Sequence, residues 1–457
     1  MSFTDKTDPE SPKTIVEEHV ERILSPFDVF IKNQASTGIL LGVTALLAMI
    51  IANSPWHEII HFLAAIPVGF HANGWALDMH LHEWINSGLM ALFFFHIGLE
   101  LKREVLAGEL RNVQQMVLVL SAAAGGMIVP AGIYFLMNMG DPAQIGWAIP
   151  MATDTAFALG ALALLAKRVS PSIAVFLVAL AIFDDLGAII VIALFYTQAI
   201  SVIPLLWAAA AFAVLVCFNV IGIRKPWFYA VLGAVLWYFV HDSGIHGTVA
   251  GILVAFAIPA RPKVKEEYFK MRIKALVSRF EKKQTEERGI LEHQDQHDLV
   301  VDVQKVAERA STPLQRWEGE LKTPIGLLVL PIFALFNAGV MLSTESLGAF
   351  TNSSVVWGVI LGLVVGKPVG IALFCFIALR CKLGTMPKGM NFADIIGAGL
   401  LAGMGFTMSL LIADLGFAQM PELIEPVKLA ILLSSLASAV FGLLWLYFRG
   451  KRVACAA

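Results

Sequence analysis

The sequence predicts an all-α membrane protein of twelve transmembrane helices, and three observations carry that expectation. Apolar runs near twenty residues recur along the chain, the length needed to cross a bilayer core. The composition is 58% hydrophobic and only 15% charged, with a mean hydropathy of +0.74. Lys and Arg alternate between the connecting segments as they do when positive charge marks the cytoplasmic side. Length alone would suggest about three soluble domains; composition overrides it.

In chain order the spans fall near 35–52, 85–101, 116–137, 144–166, 172–196, 199–221, 226–240, 245–260, 324–342, 355–379, 392–417 and 427–448. The seventh and eighth are short, with only His241-Asp-Ser-Gly244 between them. With both termini cytoplasmic, all but two of the 33 Lys and Arg lie in inside segments. Lys428 reads as outside and Lys367 falls within a span. The chain divides into a tail (1–34), spans one to eight (35–260), a charged cytoplasmic loop (261–322), spans nine to twelve (323–449) and a second tail (450–457). The first tail is polar and lacks the apolar core of a cleavable signal, so the first span is expected to serve as an uncleaved anchor. Cys217, Cys375, Cys381 and Cys455 have no metal-ligand spacing and read as free thiols. No basic stripe with interleaved aromatics points to nucleic acid.

Two connections have character. The outside segment 53–83 lacks Lys and Arg and carries Asn73-Gly74 between apolar residues, a hairpin signal because a type I′ turn needs positive φ at both positions. The loop 261–322 places Phe269, Ile273, Leu276, Val277 and Phe280 on one helical face, with Val300, Val303 and Val306 suggesting a second amphipathic helix. His293 and His297 in it are four apart, but their polar neighbours are ordinary surface residues.

Two adjacent carboxylates, Asp184 and Asp185, sit near the middle of 172–196, a run otherwise free of charge. A charge at the bilayer centre costs at least about 2.5–3.5 kcal/mol, so the pair marks a functional site. Helical neighbours point about 100° apart, so one can face a cavity while the other meets a base. Lys367 is the only basic residue deep in any span. A carboxylate poised by burial and a basic neighbour holds a proton or a small hard cation, not both. Competition of that kind gives exchange when access alternates between the two sides, and two acids allow more than one proton per cation. Oxygen ligands without a thiolate or imidazole cluster favour Na+ or Li+ over transition metals.

Two spans are poor helices. One places Pro150, Thr153 and Asp154 at membrane depth; the other has Gly403 and Gly405 in its middle. Irregular backbone survives there only within protein or beside water. The breaks fall in the middle members of spans three to five and ten to twelve, which start from opposite sides. Paired broken helices in inverted repeats point to a secondary transporter with its site at the midplane.

Four stretches carry a specific resemblance: Ala152-Thr-Asp-Thr-Ala-Phe-Ala-Leu-Gly160, Ala181-Ile-Phe-Asp-Asp-Leu-Gly-Ala-Ile-Ile190, Gly366-Lys-Pro-Val-Gly-Ile371 and Gly403-Met-Gly-Phe-Thr-Met-Ser409. With Gly98-Leu-Glu-Leu-Lys-Arg-Glu104 and Ser243-Gly-Ile-His246, the chain resembles the bacterial NhaA-type sodium/proton antiporter family over about 35–260 and 320–450. The resemblance implies that Asp184 and Asp185 bind the ion. It counts Thr153 and Asp154 with the ion- and proton-binding residues and places them at the crossing of broken helices 4 and 11, opposite Thr407, Gly403 and Gly405. Lys367 is the family's intramembrane lysine and a candidate partner of Asp184. Glu100, Glu104, His246 and Glu318 match positions tied to ion entry or pH response. A multi-pass protein of the bacterial inner membrane is implied, dimeric through the extracellular hairpin and exchanging Na+ or Li+ for protons electrogenically under pH control. No cofactor or enzyme activity is expected.

The departures bear on regulation. Ser87 stands where similar sequences carry Asp, and Gly319 and Lys322 replace histidines near Glu318. Asp414, seven residues beyond Thr407, lies near the same helix face. Rival readings fit less well. An intramembrane aspartyl protease wants its acids on separate helices within Tyr-Asp and Gly-x-Gly-Asp motifs, but Phe183 precedes this pair and no Asp follows Gly405. A sodium-coupled symporter of an organic solute shares the inverted-repeat design but needs polar room for its solute. A passive channel is disfavoured by the lysine.

Overall fold

The computed structural model describes residues 34–449 except 73–74, 108–112, 166–167, 198–199, 265, 283–293, 342–349 and 351–352. The chain is mostly helical. It opens with α1 (Gln34–Ala52), bends sharply by 107° into the short α2 (His57–Ala64), and then forms the one sheet among the described residues. In that hairpin β1 (Pro67–Ala72) pairs antiparallel with β2 (Trp75–His80), Ala72 opposite Trp75. Asn73 and Gly74, expected to make its turn, lie outside the described residues.

The rods that follow are α3 (Leu81–Ala107), α4 (Val113–Met137), a 3-10 stretch Pro142–Met151 leading to α5 (Thr155–Ala163), α6 (Pro171–Phe195) and α7 (Val202–Ile221). Then come α8 (Pro226–Asp242) and α9 (Thr248–Ala257). Helices α10 (Glu266–Lys282) and α11 (Gln294–Ala310) pack against each other outside the bundle. The last set is α12 (Pro313–Asn337), α13 (Ser354–Arg380), α14 (Phe392–Ala402), α15 (Phe406–Gly416) and α16 (Ile424–Arg449).

Their ends follow from local chemistry. Pro171 begins α6 behind the Ser170 cap, where a missing N–H costs nothing. Gly222 closes α7 at φ +87°, the left-handed position that glycine takes without strain. Eight described helices are long and apolar enough to cross a membrane, ten if each of two bent pairs counts as one span. The expected seventh and eighth spans, α8 and α9, are helical but only 17 and 10 residues long.

Three features go beyond the hydropathy reading. The ninth rod begins at Pro313, well before 323, so the end of the expected loop continues straight into the span and carries Glu318 and Lys322 with it. Its first turns are polar, which hides them from a hydropathy reading. Lys428 lies near the start of α16 and is only 8% exposed. Finally, π-helical turns interrupt α3 at Trp84–Leu89, α12 at Ile325–Val329 and α13 at Gly362–Gly366, the last directly before Lys367. Such turns often mark functional sites.

The core is arranged about α4, α6 and α13. A Cβ on Gly125 of α4 would strike the Gly370 carbonyl of α13, and one on Gly126 would reach 3.8 Å from Asp184 Oδ1 of α6. Glycines at this contact let three helices converge where Asp184 and Lys367 face each other.

Candidate ion-binding site

After Met151 the backbone leaves the helix: Ala152 and Asp154 are extended, with ψ of 154° and 101°. A second gap, Gly403–Gly405, separates α14 from α15, whose axes differ by 49°. Backbone freed from a helix inside hydrocarbon must find partners, and these two stretches supply one another. Asp154 N donates to Met404 O at 2.6 Å. Thr153 Oγ1 is 3.0 Å from Ala402 O, and Ser409 Oγ donates to Ile149 O at 2.7 Å. A Cβ on Gly405 would stand 3.0 Å from Ala152 O, so glycine allows the approach.

Asp154 joins the starts of two helices. As the cap of α5 its Oδ1 accepts from Phe157 N at 3.1 Å, while Oδ2 accepts from Thr407 N at 3.0 Å and Thr407 Oγ1 at 2.7 Å. One carboxylate thereby faces the partial positive charge of two N-termini. The geometry explains both of its oxygens as structural ligands.

Beside this crossing lies the acid pair. Lys367 Nζ is 2.7 Å from Asp184 Oδ2, with both side chains fully buried. Thr153 Oγ1 donates to the same oxygen at 2.7 Å and is itself contacted by Lys367 Nζ. Among the described residues Asp184 Oδ1 and both carboxylate oxygens of Asp185 have no hydrogen-bond partner. The two acids diverge because consecutive helical residues cannot share a direction. A buried pair returns its desolvation cost only when well bonded, a condition Asp184 meets at Oδ2 alone. A carboxylate without a partner in that interior is tenable only with a proton or a cation on it. That describes Asp185.

A cavity of about 490 Å³ lies between α3, α6 and α12, lined by His96, Glu100, Glu104, Thr155, Glu318 and Lys322 among others. Glu100 and Glu104 share a face of α3. Arg103 bridges that helix to α12, its Nε 2.8 Å from Glu318 Oε1 and its Nη1 3.4 Å from Glu104 Oε2. Ala179 lines the inner wall, six residues before Asp185 on α6, a rise of roughly 9 Å. The cavity reaches Thr155, next to Asp154, and ends short of Asp184 and Asp185, neither of which lines it.

Thr153, Asp154, Asp184, Lys367, Gly403, Gly405 and Thr407 come together in the structure, with Asp185 beside them. Glu100, Glu104 and Glu318 gather at the cavity. His246 joins neither group: its Nδ1 is 2.8 Å from Thr248 Oγ1 at the junction of α8 and α9. His96 is 9% exposed and lines the cavity. Sequence reasoning missed Arg103 as the link between α3 and α12, and Ser409 as a tie across the crossing. Of the histidines four apart in the loop, His293 is outside the described residues. No group of three or more His, Cys, Asp or Glu able to hold a metal occurs among the described residues. Cys217, Cys375 and Cys381 are free, and Cys455 is outside the described residues.

Comparison with known proteins places these residues in context. A family model described as Na+/H+ antiporter 1 matches residues 28–446. The Na(+)/H(+) antiporter NhaA 1 of Saccharophagus degradans is 44% identical, covering 96% of this chain and 95% of that one. The Na(+)/H(+) antiporter NhaA 2 of Psychromonas ingrahamii is 45% identical over 93% of this chain and 90% of its own length. The Na(+)/H(+) antiporter NhaA of Sulfurimonas denitrificans is 43% identical, with coverage of 94% and 97%.

Proposed function

The chain belongs to the Na+/H+ antiporter 1 family, and from that premise we propose that it exchanges Na+ or Li+ for protons through competition at Asp184 and Asp185. The observation that carries this reading is the contrast within the pair. Asp184 is held by Lys367 and Thr153, whereas neither oxygen of Asp185 has a partner among the described residues. Asp185 is the cation carboxylate, and Asp184 is the proton-linked partner of Lys367. A cation arriving between them draws Asp184 away from the ammonium, which weakens the hold on its proton. Loss of protons from Asp185 and from the Asp184–Lys367 pair for one cation makes the exchange electrogenic.

The crossing supports this site without taking part in exchange: Asp154, Thr407, Gly403 and Gly405 fix the backbone, and Thr153 orients Asp184. Twelve spans follow when α1, α8, α9 and the bent pair α14–α15 join the eight long helices. The segments then form inverted repeats, spans three to five against ten to twelve, with spans four and eleven broken and both termini cytoplasmic. Glu100, Glu104 and Glu318 draw cations into the cavity and, through Arg103, couple α3 to α12 in the pH response. His246 is a gating position on the other side. The β1–β2 hairpin is the dimer contact in the bacterial inner membrane. The organic-solute symporter gains no support from this geometry.

The test is transport in everted vesicles carrying a pH-gradient dye. Added Na+ or Li+ dissipates an imposed proton gradient, and Asp185→Asn abolishes that response. Normal exchange by Asp185→Asn would sink the assignment, and no response to either cation would sink the antiport reading.

A further inference from the structure

A second carboxylate–lysine pair lies at the hairpin end of the bundle. Asp414 of α15 has Oδ1 3.4 Å from Lys428 Nζ of α16, with side chains only 12% and 10% exposed. Its Oδ2 accepts from Asn86 Nδ2 at 3.3 Å. The same Asn86 nitrogen donates to Asn337 Oδ1 at 3.3 Å, and Asn337 Nδ2 returns a bond to Asn86 Oδ1 at 2.9 Å. His82 Nε2 stands 3.2 Å from Asn337 Oδ1 and 3.3 Å from Asn86 Nδ2. Four rods, α3, α12, α15 and α16, meet in this network.

Its position ties it to the crossing. Asp414 is seven residues beyond Thr407 on α15, two turns or roughly 10 Å along one helix. Neighbouring contacts confirm the end of the molecule: Leu81 N donates to Ile66 O beside the hairpin, and Met341 N donates to Glu425 Oε2 near Lys428. The cavity with Glu100 and Glu318 is at the opposite end, so the acid pair at the crossing has charged groups on both sides.

The chemistry repeats that of the crossing: a carboxylate shared between a lysine and a neutral polar group, in apolar surroundings. An intramembrane charge pair is by default a functional feature. The Asn86 amide nitrogen sits between Asp414 Oδ2 and Asn337 Oδ1, and rotating that amide turns its own oxygen toward them. That rotation gives up the bond from Asn337 Nδ2 to Asn86 Oδ1 and brings two amide oxygens together with the Asp414 carboxylate, a donor set suited to a hard cation. We propose that Asp414, with the side-chain oxygens of Asn86 and Asn337, forms a second alkali-cation station on the hairpin side, its charge balanced by Lys428 when no cation is bound. Lys428 is a tethered competitor there. The station rests on the antiport reading and serves exchange from the hairpin face.

Sided kinetics test it. Exchange of radioactive Na+ for unlabelled Na+ is measured in right-side-out and everted vesicles, and the two faces are compared as a ratio of KM values. Losing the carboxylate in Asp414→Asn raises the hairpin-face KM relative to the opposite face by about tenfold, and Asp414→Glu returns the ratio toward that of the unsubstituted chain. Lys428→Gln removes the competitor and lowers the ratio several-fold. Opposite signs for the two variants are outside what a purely structural ion pair produces. A ratio that stays constant in both, or moves the same way in both, overturns the station. If Asp414→Asn does not accumulate in the membrane, the sign of the Lys428→Gln change decides. Failure of the unsubstituted chain to exchange Na+ from either face defeats the antiport reading itself.

Discussion

Among the described residues two carboxylate–lysine pairs stand inside the bundle, one fully buried and one partly exposed, and their difference separates chemistry from access. Asp184–Lys367 is fully buried and closes at 2.7 Å with a threonine hydroxyl on the same oxygen. Asp414–Lys428 is looser at 3.4 Å, retains 12% and 10% exposure, and is shared with an asparagine amide. Next to the first pair stands a second acid, Asp185, whose oxygens have no partner. Beside the second pair the hydrogen bonds of Asn86, Asn337 and His82 close on one another. The first arrangement leaves a buried carboxyl that must carry a proton or a cation; the second is satisfied by its neighbours.

Substitutions sharpen that contrast, beginning with the largest effect. Asp185→Asn removes exchange altogether, whereas Asp414→Asn leaves it measurable and changes its sidedness; vesicle transport reports both. Abolition by Asp414→Asn on both faces would erase the distinction. Next is stability. Lys367→Met strands Asp184 in the interior and costs about 3–5 kcal/mol. Lys428→Met, at the looser pair, costs about 1 kcal/mol, near the value for ion pairs with water access. Thermal unfolding of the purified protein in detergent checks the order, and equal losses would contradict it. Asp154→Asn keeps its acceptor oxygen but loses the charge facing two helix N-termini, for about 1–2 kcal/mol. The smallest effect is expected at Arg103→Gln. That bridge to Glu318 is 34% and 17% exposed, so it contributes about 0.2–1 kcal/mol. Its signature is a changed KM for Na+ at the cavity face with little change in unfolding temperature.

Much of this site is legible in the sequence because membrane insertion makes charge conspicuous. Asp184, Asp185 and Lys367 stand out in apolar runs, and Pro150 and the Gly403–Gly405 pair disrupt helices that hydropathy otherwise predicts. The strands that flank the Asn73-Gly74 signal pair as β1 and β2. Other features depend on packing across long separations. Arg103 and Glu318 are 215 positions apart, and Asn86 and Asn337 are 251 apart; no local pattern announces either contact. Neutral amides carry no hydropathy signal as strong as a charge, so the network around Asp414 stayed hidden although Asp414 itself was noticed. Ser87 illustrates the limit. A Cβ on Gly247 would collide with its hydroxyl, so it faces the start of α9 while its neighbour Asn86 meets Asp414. Adjacent positions on one turn serve different neighbours. The polar first turns of α12 read as loop for a related reason: helix continuity there is set by hydrogen bonding and by contacts of buried Leu314 and Trp317, not by apolar length.

Cation binding as a function of pH tests the central claim, competition between Na+ and protons for the same carboxylates, most directly. Calorimetric titration of Li+ or Na+ into the purified protein gives Kd at each pH. Falling pH protonates the carboxylates that the cation needs, so Kd rises by about tenfold per pH unit for each proton displaced. Asp185→Asn shows no saturable binding. A Kd that stays constant across the pH range in which exchange is active, or unchanged binding by Asp185→Asn, would contradict the account.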